Sequence, residues 1–436
     1  MGDVGGWRAS YAAKLVSVAE AAALVEDGDV LWAGAWCSNP VQLLEALTDR
    51  VDRGDGPRDV DVVTLLQCAP HRFNGGQYAG HLASHSMFAG PVERRFAPEG
   101  NVHVNSVHLG ESGAALRDVY GVNTLFVEVS EPDEQGWMSY GPMGVAWNGP
   151  VASYATKRIV QVNACQGRVR GRGSLIHVDD VDAICRADHE LAELIQPPVD
   201  EIDHAIAAFI IPNIPDGATL QVGLGGIANA VAYGLRDTRH LGVHTEMLTD
   251  SLVELARVGA VEHDKVLAGF GLGSRAVYDY CASGLPELGE IGLVNRPQLA
   301  AANDLLVSIN SCLMVDLTGQ VGSESIGHRQ FSGTGGQLDY VRAAGMSKGG
   351  QSYLCLRSTV EGQRGPRRST ITLDLPPGQV VTTPRSDVMF VVTEWGIARL
   401  HNRPIEDRVR AMIAIAHPDY RDDLRAQAAG AGLLHG

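Results

Sequence analysis

Aromatic residues are scarce in this chain, at 6%, and basic ones are outnumbered: 35 Lys and Arg stand against 51 Asp and Glu, a net charge of −16. That balance argues against a nucleic-acid partner, because phosphate backbones are held by clustered Lys and Arg and no such block occurs. A small polyanion would need a local basic spot, for which Arg342, Lys348, Arg357, Arg367 and Arg368 are the densest candidates. The seven cysteines, Cys37, Cys68, Cys165, Cys185, Cys281, Cys312 and Cys355, are odd in number and contain no CxxC pair, which points to a reducing compartment rather than a disulfide framework. No window approaches the roughly 20 apolar residues of a membrane span, and MGDVGGWRASYAAKL has no apolar run of the signal-peptide kind. A cytoplasmic protein with no membrane partner is therefore expected. Among the fifteen histidines there is no HExxH pair, no GxSxG elbow is present and no cysteine has an adjacent His, so neither a metal site nor thiol catalysis is expected. His177 and His417 read as capping or packing residues.

What is present is the composition of a folded α/β protein: 436 residues, 45% hydrophobic, with 51 glycines. The length calls for two domains of about 200 residues. SVAEAAAL (17–24) is amphipathic and helical, closes at Asp27-Gly28 and leads into the strand VLWAGAW. The same grammar recurs in EIDHAIAAFII (201–211), which is ended by Pro212 and Pro215, turns at Asp216-Gly217 and enters ATLQVGLGG. Aligning Gly28 with Gly217 also aligns Gly34 with Gly223, a faint internal repeat. QPPVD (196–200) marks the junction, giving domains over 1–200 and 201–436. The runs NTLFVEV, RIVQVNAC, LLVSIN, QSYLCL and VMFVVT are of strand length. Strands alternating with helices predict two similar open α/β domains with mostly parallel sheets.

LQVGLGGIANAV (220–231) runs from a strand through Gly223, Gly225 and Gly226 into a helix, where backbone N–H groups can approach an anion or a carbonyl oxygen under attack. The plainer reading of these glycines is close strand-to-helix packing. The strand GVHT then delivers Glu246, and a helix starts near Thr249-Asp250. A carboxylate at the carboxyl end of such a strand lies where open α/β sheets bind ligands, although a solvated acid would look the same. The spacing also fits a dinucleotide fingerprint with Glu246 on a ribose, hence an NAD(P)-dependent dehydrogenase, but nothing later supplies a proton relay for hydride transfer. In FSGTGGQLDYVRAAGMSKGG (331–350), Gly333, Gly335 and Gly336 precede Asp339, Arg342 and Lys348, either a cradle for phosphate or pantetheine or a plain turn. Asn310 ends a buried strand and can bond a ligand amide or cap its neighbour.

Assembled, these segments resemble the acetyl-CoA hydrolase/transferase group of class I CoA-transferases, most closely its 4-hydroxybutyrate (butyryl) CoA-transferase branch. The strings that carry the resemblance are LQVGLGGIANAV, LGVHTEMLTDSLVEL, VDLTGQVGSESIG, FSGTGGQLDYVRAA, SKGG, VVTEWGIARL and IAHPDYRDDL, with looser matches in the first half such as VSEPDEQGWMSYG and SLIHVDDVDAI. The resemblance implies two similar α/β domains with the active site between them, often in a homodimer. It implies that Glu246 is the catalytic glutamate, that Gln221 and the Gly225-Gly226 loop hold the thioester carbonyl and CoA, and that Asn310, Gly335, Gly336 and Lys348 line the CoA channel. The substrates would be an acyl-CoA and a small carboxylic acid, with CoA as part of the substrate and no permanently bound cofactor. Three places depart from the pattern: Ala35 and Trp36 where relatives often carry a His, Met314 in place of an acid, and Trp395 in place of a Tyr.

A carboxylate nucleophile explains the missing Ser, Cys and His dyads, since Glu246 is expected to be ionised near neutral pH and to need no general base. The expected reaction is ping-pong transfer through a glutamyl-CoA thioester. Hydrolysis of acyl-CoA by the same glutamate is the nearest alternative, and a CoA-binding module without catalysis is a further one.

Overall fold

Residues 6–362 and 365–435 are described by the computed structural model of this chain; the opening MGDVG lies outside them. Two compact units form: 1–194 together with 267–294, and 195–266 together with 295–436. The expected second domain, 201–436, is thus not one continuous block, because Leu267–Val294 packs with the first unit. No turn marks that crossing, since it falls inside a single strand, Val261–Gly271.

In the first unit the strands β1 (Val30–Ala35), β2 (Val60–Leu65), β3 (Leu82–Ser86), β4 (Val102–Val104), β5 (Thr124–Val129), β6 (Lys157–Val162) and β7 (Ala183–Arg186) form one sheet in the order β4-β3-β2-β1-β5-β6-β7. Every pairing is parallel. Covered on both faces, such strands become continuous apolar runs, and all six residues of β5 are buried. The exception inside β5 is Glu128, fully buried yet accepting hydrogen bonds from Gln161 Nε2 (2.9 Å), Asn163 Nδ2 (2.8 Å) and Gln166 Nε2 (2.9 Å). His189 Nε2 lies 2.7 Å from the same carboxylate, whose proximity pushes the imidazole pKa up to about 9. A buried charge of this kind is tolerated only when paired and hydrogen-bonded, and both conditions are met.

The second unit repeats the plan. Its strands β8 (Thr219–Val222), β9 (Leu241–Leu248), β10 (Val261–Gly271), β11 (Leu306–Ser311), β12 (Gln351–Cys355), β13 (Phe390–Thr393) and β14 (Gly396–Arg399) lie in the order β10-β9-β8-β11-β12-β13-β14, and the two-residue strand Glu287–Leu288 pairs in parallel on the outer side of β10. Only the terminal β13–β14 hairpin is antiparallel among the registered pairs. The repeat seen in the sequence is physical: both Asp-Gly turns carry their glycine in the left-handed region, Gly28 at φ 77° and Gly217 at φ 79°, where a side chain would be strained. Each turn delivers the central strand of its sheet. The helices start as the sequence asks: Ser17 and Glu20 make a capping box ahead of Val18–Ala22, and Asp200 with Asp203 does so ahead of Glu201–Ile210. His177 caps the helical turn Val178–Asp180 and His417 the helix Pro418–Gly430, accepting from the Asp179 and Asp419 backbone N–H groups.

No helix among the described residues is long and apolar enough to cross a membrane. All seven cysteines are free thiols. Four of the five basic candidates are held by acids: Arg342 by Asp387, Lys348 by Asp304, Arg357 by Asp200 and Asp203, and Arg367 by Asp419. They do not converge on one uncompensated spot.

Candidate active site

Glu246 lies on β9, which continues two residues beyond it to Leu248 rather than ending at Thr245 as expected. Its neighbours Thr245 and Met247 are buried, and Glu246 itself is half-buried. The carboxylate accepts from the backbone N–H of Gly336 and, through Oε2, from Asn295 Nδ2 at 3.0 Å. The same Asn295 nitrogen is 3.4 Å from Asp339 Oδ2, and Tyr340 donates to Asn295 Oδ1 at 3.3 Å. Among the described residues no cation pairs with Glu246.

That environment has an electrostatic consequence. Burial pushes the Glu246 pKa up to about 7; the hydrogen bond from Asn295 opposes the shift, the negative charge of Asp339 adds to it and the Gly336 N–H opposes it. Against the expectation of a glutamate ionised near neutral pH, desolvation favours its protonated form.

Gly336 is glycine for a steric reason. A Cβ there would fall 2.0 Å from Glu246 Oε2 and 2.3 Å from Asn295 Nδ2. The loop that presents it is anchored by Glu324, which is buried and accepts from Thr334 Oγ1 (3.1 Å) and Thr382 Oγ1 (3.0 Å), while its carbonyl receives the N–H groups of Phe331 and Ser332. Gly335, at φ 61°, turns the chain into the helix Gln337–Met346. Gly333 offers its carbonyl to Ser332 Oγ.

The other glycine loop is built differently. Gln221 on β8 and Ser308 on β11 are direct partners in register. Gln221 Oε1 accepts from Ser308 Oγ (2.7 Å) and Asn310 Nδ2 (2.9 Å), and Gln221 Nε2 donates to Asn310 Oδ1 at 3.2 Å. Gly223 leaves room for this trio, since a Cβ there would meet Asn310 Oδ1 at 2.8 Å. Gly225, at φ 116°, donates its N–H to Gln196 Oε1 (3.2 Å), and Gly226 packs so closely on Asp203 that a Cβ would sit 2.1 Å from its carboxylate. Lys348 lies beyond the C-terminal end of the helix whose N-terminus touches Glu246, about 15 Å away along the axis, with its side chain exposed.

Of the residues expected from sequence, the structure brings Glu246 and Gly336 into contact and groups Gln221, Gly223 and Asn310 into a second cluster. It holds Gly225 and Gly226 against Gln196 and Asp203 and puts Lys348 at a remove. Three contributors were missed: Asn295, Gln196 and Glu324. Asn295 precedes Arg296-Pro297 with no periodicity to flag it, and Gln196 read as linker. Glu324 carried a signal, an acid inside the otherwise small-residue string GSES. No group of three or more His, Cys, Asp or Glu side chains among the described residues could hold a metal ion.

Two open parallel sheets of the same strand order, with a desolvated carboxylate against a glycine loop in the second, define a CoA-transferase-type α/β protein. Family models bear this out, the N-terminal domain of acetyl-CoA hydrolase/transferase matching residues 3–196 and the C-terminal domain 273–428. The chain belongs to the acetyl-CoA hydrolase/transferase family. It is 35% identical over 428 residues to 4-hydroxybutyrate coenzyme A transferase of Clostridium kluyveri, covering 96% of this chain and 98% of that protein. To succinyl-CoA:cyclohexane-1-carboxylate CoA transferase of Geobacter metallireducens it is 36% identical, over 95% and 94% of the two chains. The crystal structure of RipA from Yersinia pestis superposes with a TM-score of 0.92 at 32% identity, over 98% of this chain and all of that one.

Gly336→Ala is expected to lower kcat/KM about 100-fold with the fold intact by circular dichroism, because the methyl displaces the carboxylate by an ångström or more. Glu246→Gln is expected to stabilise the protein, in a pH-dependent way. Between about pH 4.5 and 7 the folded state keeps a proton that the unfolded chain has released, so wild-type stability falls as pH rises through that window. The variant's advantage should be up to about 3 kcal/mol above pH 7 and absent below pH 4.5, read from denaturant unfolding at pH 8 and pH 4.5.

Proposed function

We propose that this chain transfers CoA from an acyl-CoA thioester to a free carboxylic acid, with Glu246 as the nucleophile. The observation that carries the reading is a carboxylate held by neutral donors alone, Asn295 Nδ2 and the Gly336 N–H, with no cation to quench it. Names of relatives such as the Clostridium kluyveri and Geobacter metallireducens transferases support the reaction class.

In this mechanism ionised Glu246 attacks the acyl carbonyl, the C–S bond breaks, and CoA thiolate leaves an acyl-glutamyl anhydride. The thiolate then attacks the glutamyl carbonyl of the anhydride, expelling the first carboxylate and leaving a glutamyl-CoA thioester. An incoming carboxylate runs both steps backwards. Each leaving group is an anion, so no proton has to move during the transfer once Glu246 is ionised. The remaining demand is charge stabilisation at the tetrahedral carbon, worth about 3 kcal/mol per well-placed donor. Gln221, one of whose two amide hydrogens is left over from its bond to Asn310, and the Gly223–Gly226 loop would meet that demand. Asn310 and the Gly333–Gly336 loop would line the path of the CoA arm, with Lys348 at its outer end.

Desolvation helps the chemistry it hinders energetically. A carboxylate in water is a poor nucleophile; one stripped of its hydration reacts faster but costs free energy to ionise, which binding of the long CoA tail can offset. We place the enzyme in the cytoplasm as a homodimer, the first supported by its seven free thiols and the second by family resemblance. Family membership displaces the dinucleotide-binding reading.

Incubation with acyl-CoA and no acceptor should leave a hydroxylamine-sensitive adduct on the peptide bearing Glu246, seen by mass spectrometry, with release of the first carboxylic acid stopping near one equivalent while its CoA stays on the enzyme. Continued release would make the chain a hydrolase, and absence of any adduct would remove Glu246 as nucleophile. The rate of adduct formation should rise about tenfold per pH unit below 7 and level off above it, since the ionised form reacts. In Asp339→Asn the midpoint should move to lower pH, because a negative charge that opposes ionisation is gone.

A further inference from the structure

The first unit contains a cavity of about 350 Å³ that the transfer reaction does not use. Its volume is within the range that holds a small metabolite. Leu175, Ile176 and Ala152 form an apolar wall, and Tyr140, Arg158 and Asp180 supply the polar groups. Tyr140 is 1% exposed and lines the cavity. Burial raises its pKa, the positive charge of Arg158 lowers it and the negative charge of Asp180 raises it, so the phenol is within electrostatic reach of both.

Arg158 is held in place without being neutralised. Its Nε donates to the Ala152 carbonyl at 2.8 Å and its backbone N–H to Asp182, while its terminal guanidinium nitrogens pair with no acid among the described residues. An open guanidinium fork beside the Tyr140 phenol is suited to a planar anion gripped at two points. Asp180, also unpaired among the described residues, supplies an acceptor at the same cavity. The wall is closed by contact between two glycines: a Cβ on Gly149 would fall 2.3 Å from the Gly173 carbonyl oxygen.

We propose that this cavity binds a small α-substituted carboxylic acid, its carboxylate on Arg158 and the Tyr140 hydroxyl, its α-amino or α-hydroxyl group on Asp180, and its hydrocarbon chain against Leu175, Ile176 and Ala152. The inference is independent of Glu246. One cation and one anion at the same cavity select a ligand that carries both an acceptor and a donor over a simple fatty acid, which offers exposed Asp180 no donor.

The test uses full-length protein carrying Glu246→Ala, so that acids reaching the transfer site do not contribute. Leucine, 2-hydroxy-4-methylpentanoate and 4-methylpentanoate share one carbon skeleton and differ only at the α position; each is titrated by calorimetry. At least one of the first two should bind saturably with one site per chain and about tenfold or more tighter than 4-methylpentanoate. Arg158→Gln should weaken that binding at least about tenfold, and Asp180→Asn should bring it down to the level of the unsubstituted acid. Tyr140→Phe removes only the hydroxyl and should weaken binding severalfold, which keeps the test decisive if Arg158→Gln fails to fold. No saturation up to about 10 mM, equal binding of the three acids, or unchanged affinity in both Arg158→Gln and Tyr140→Phe would overturn the proposal.

Discussion

The approach of the Glu246 carboxylate to the backbone of Gly336 is the contact on which the second unit's site depends. It is possible only because residue 336 has no side chain, and it needs the loop around Gly336 to stay within a few tenths of an ångström. Successive buried acids keep it there. Asp316 closes the turn of VDLTGQ by accepting from the backbone of Thr318 and Gln320 and from both their side chains. Eight residues on, Glu324 ties Phe331, Ser332, Thr334 and Thr382 together. Each satisfies its lone pairs with neutral donors, so the loop is fixed without placing a cation beside the Glu246 carboxylate.

That choice of donors has a thermodynamic side. An arginine in place of Asn295 would depress the glutamate's pKa and stabilise the fold, but it would also tie the carboxylate into a permanent ion pair. With an amide and a backbone N–H, plus Asp339 repelling from the far side of Asn295, the carboxylate is kept at high free energy. Stability is given up at this carboxylate, as is common where a protein binds or transforms a ligand.

Much of this was legible in the sequence, for identifiable reasons. The Asp-Gly turns, the alternation of strand-length runs with helices, and the glycine loop between β8 and its following helix are local patterns, and they survive in the structure. What was not legible is non-local. Asn295 reaches Glu246 across 49 positions with no residue type or spacing to announce it. The state of Glu246 depends on burial and on Asp339, neither of which is a property of the string HTEMLTD. The passage of Leu267–Val294 into the first unit occurs within a continuous strand, where there is no turn chemistry to read.

The internal repeat shows which polar residues the fold itself does not require. Aligning Gly28 with Gly217 makes Trp32 the counterpart of Gln221, and the strand registers then make Leu125 and Val127 the counterparts of Ser308 and Asn310. The registers of β1 with β2 and of β8 with β9 make Leu65 the counterpart of Glu246. Trp32, Leu125 and Val127 are fully buried and Leu65 nearly so, and they fill their sheet with hydrocarbon. The same backbone plan is therefore satisfied by an apolar core at all four positions. Burying an amide pair, a hydroxyl and a carboxylate there instead incurs desolvation that the scaffold does not need. The polar set is confined to the half that carries the glycine loops, as expected if those four side chains serve a ligand and not the sheet.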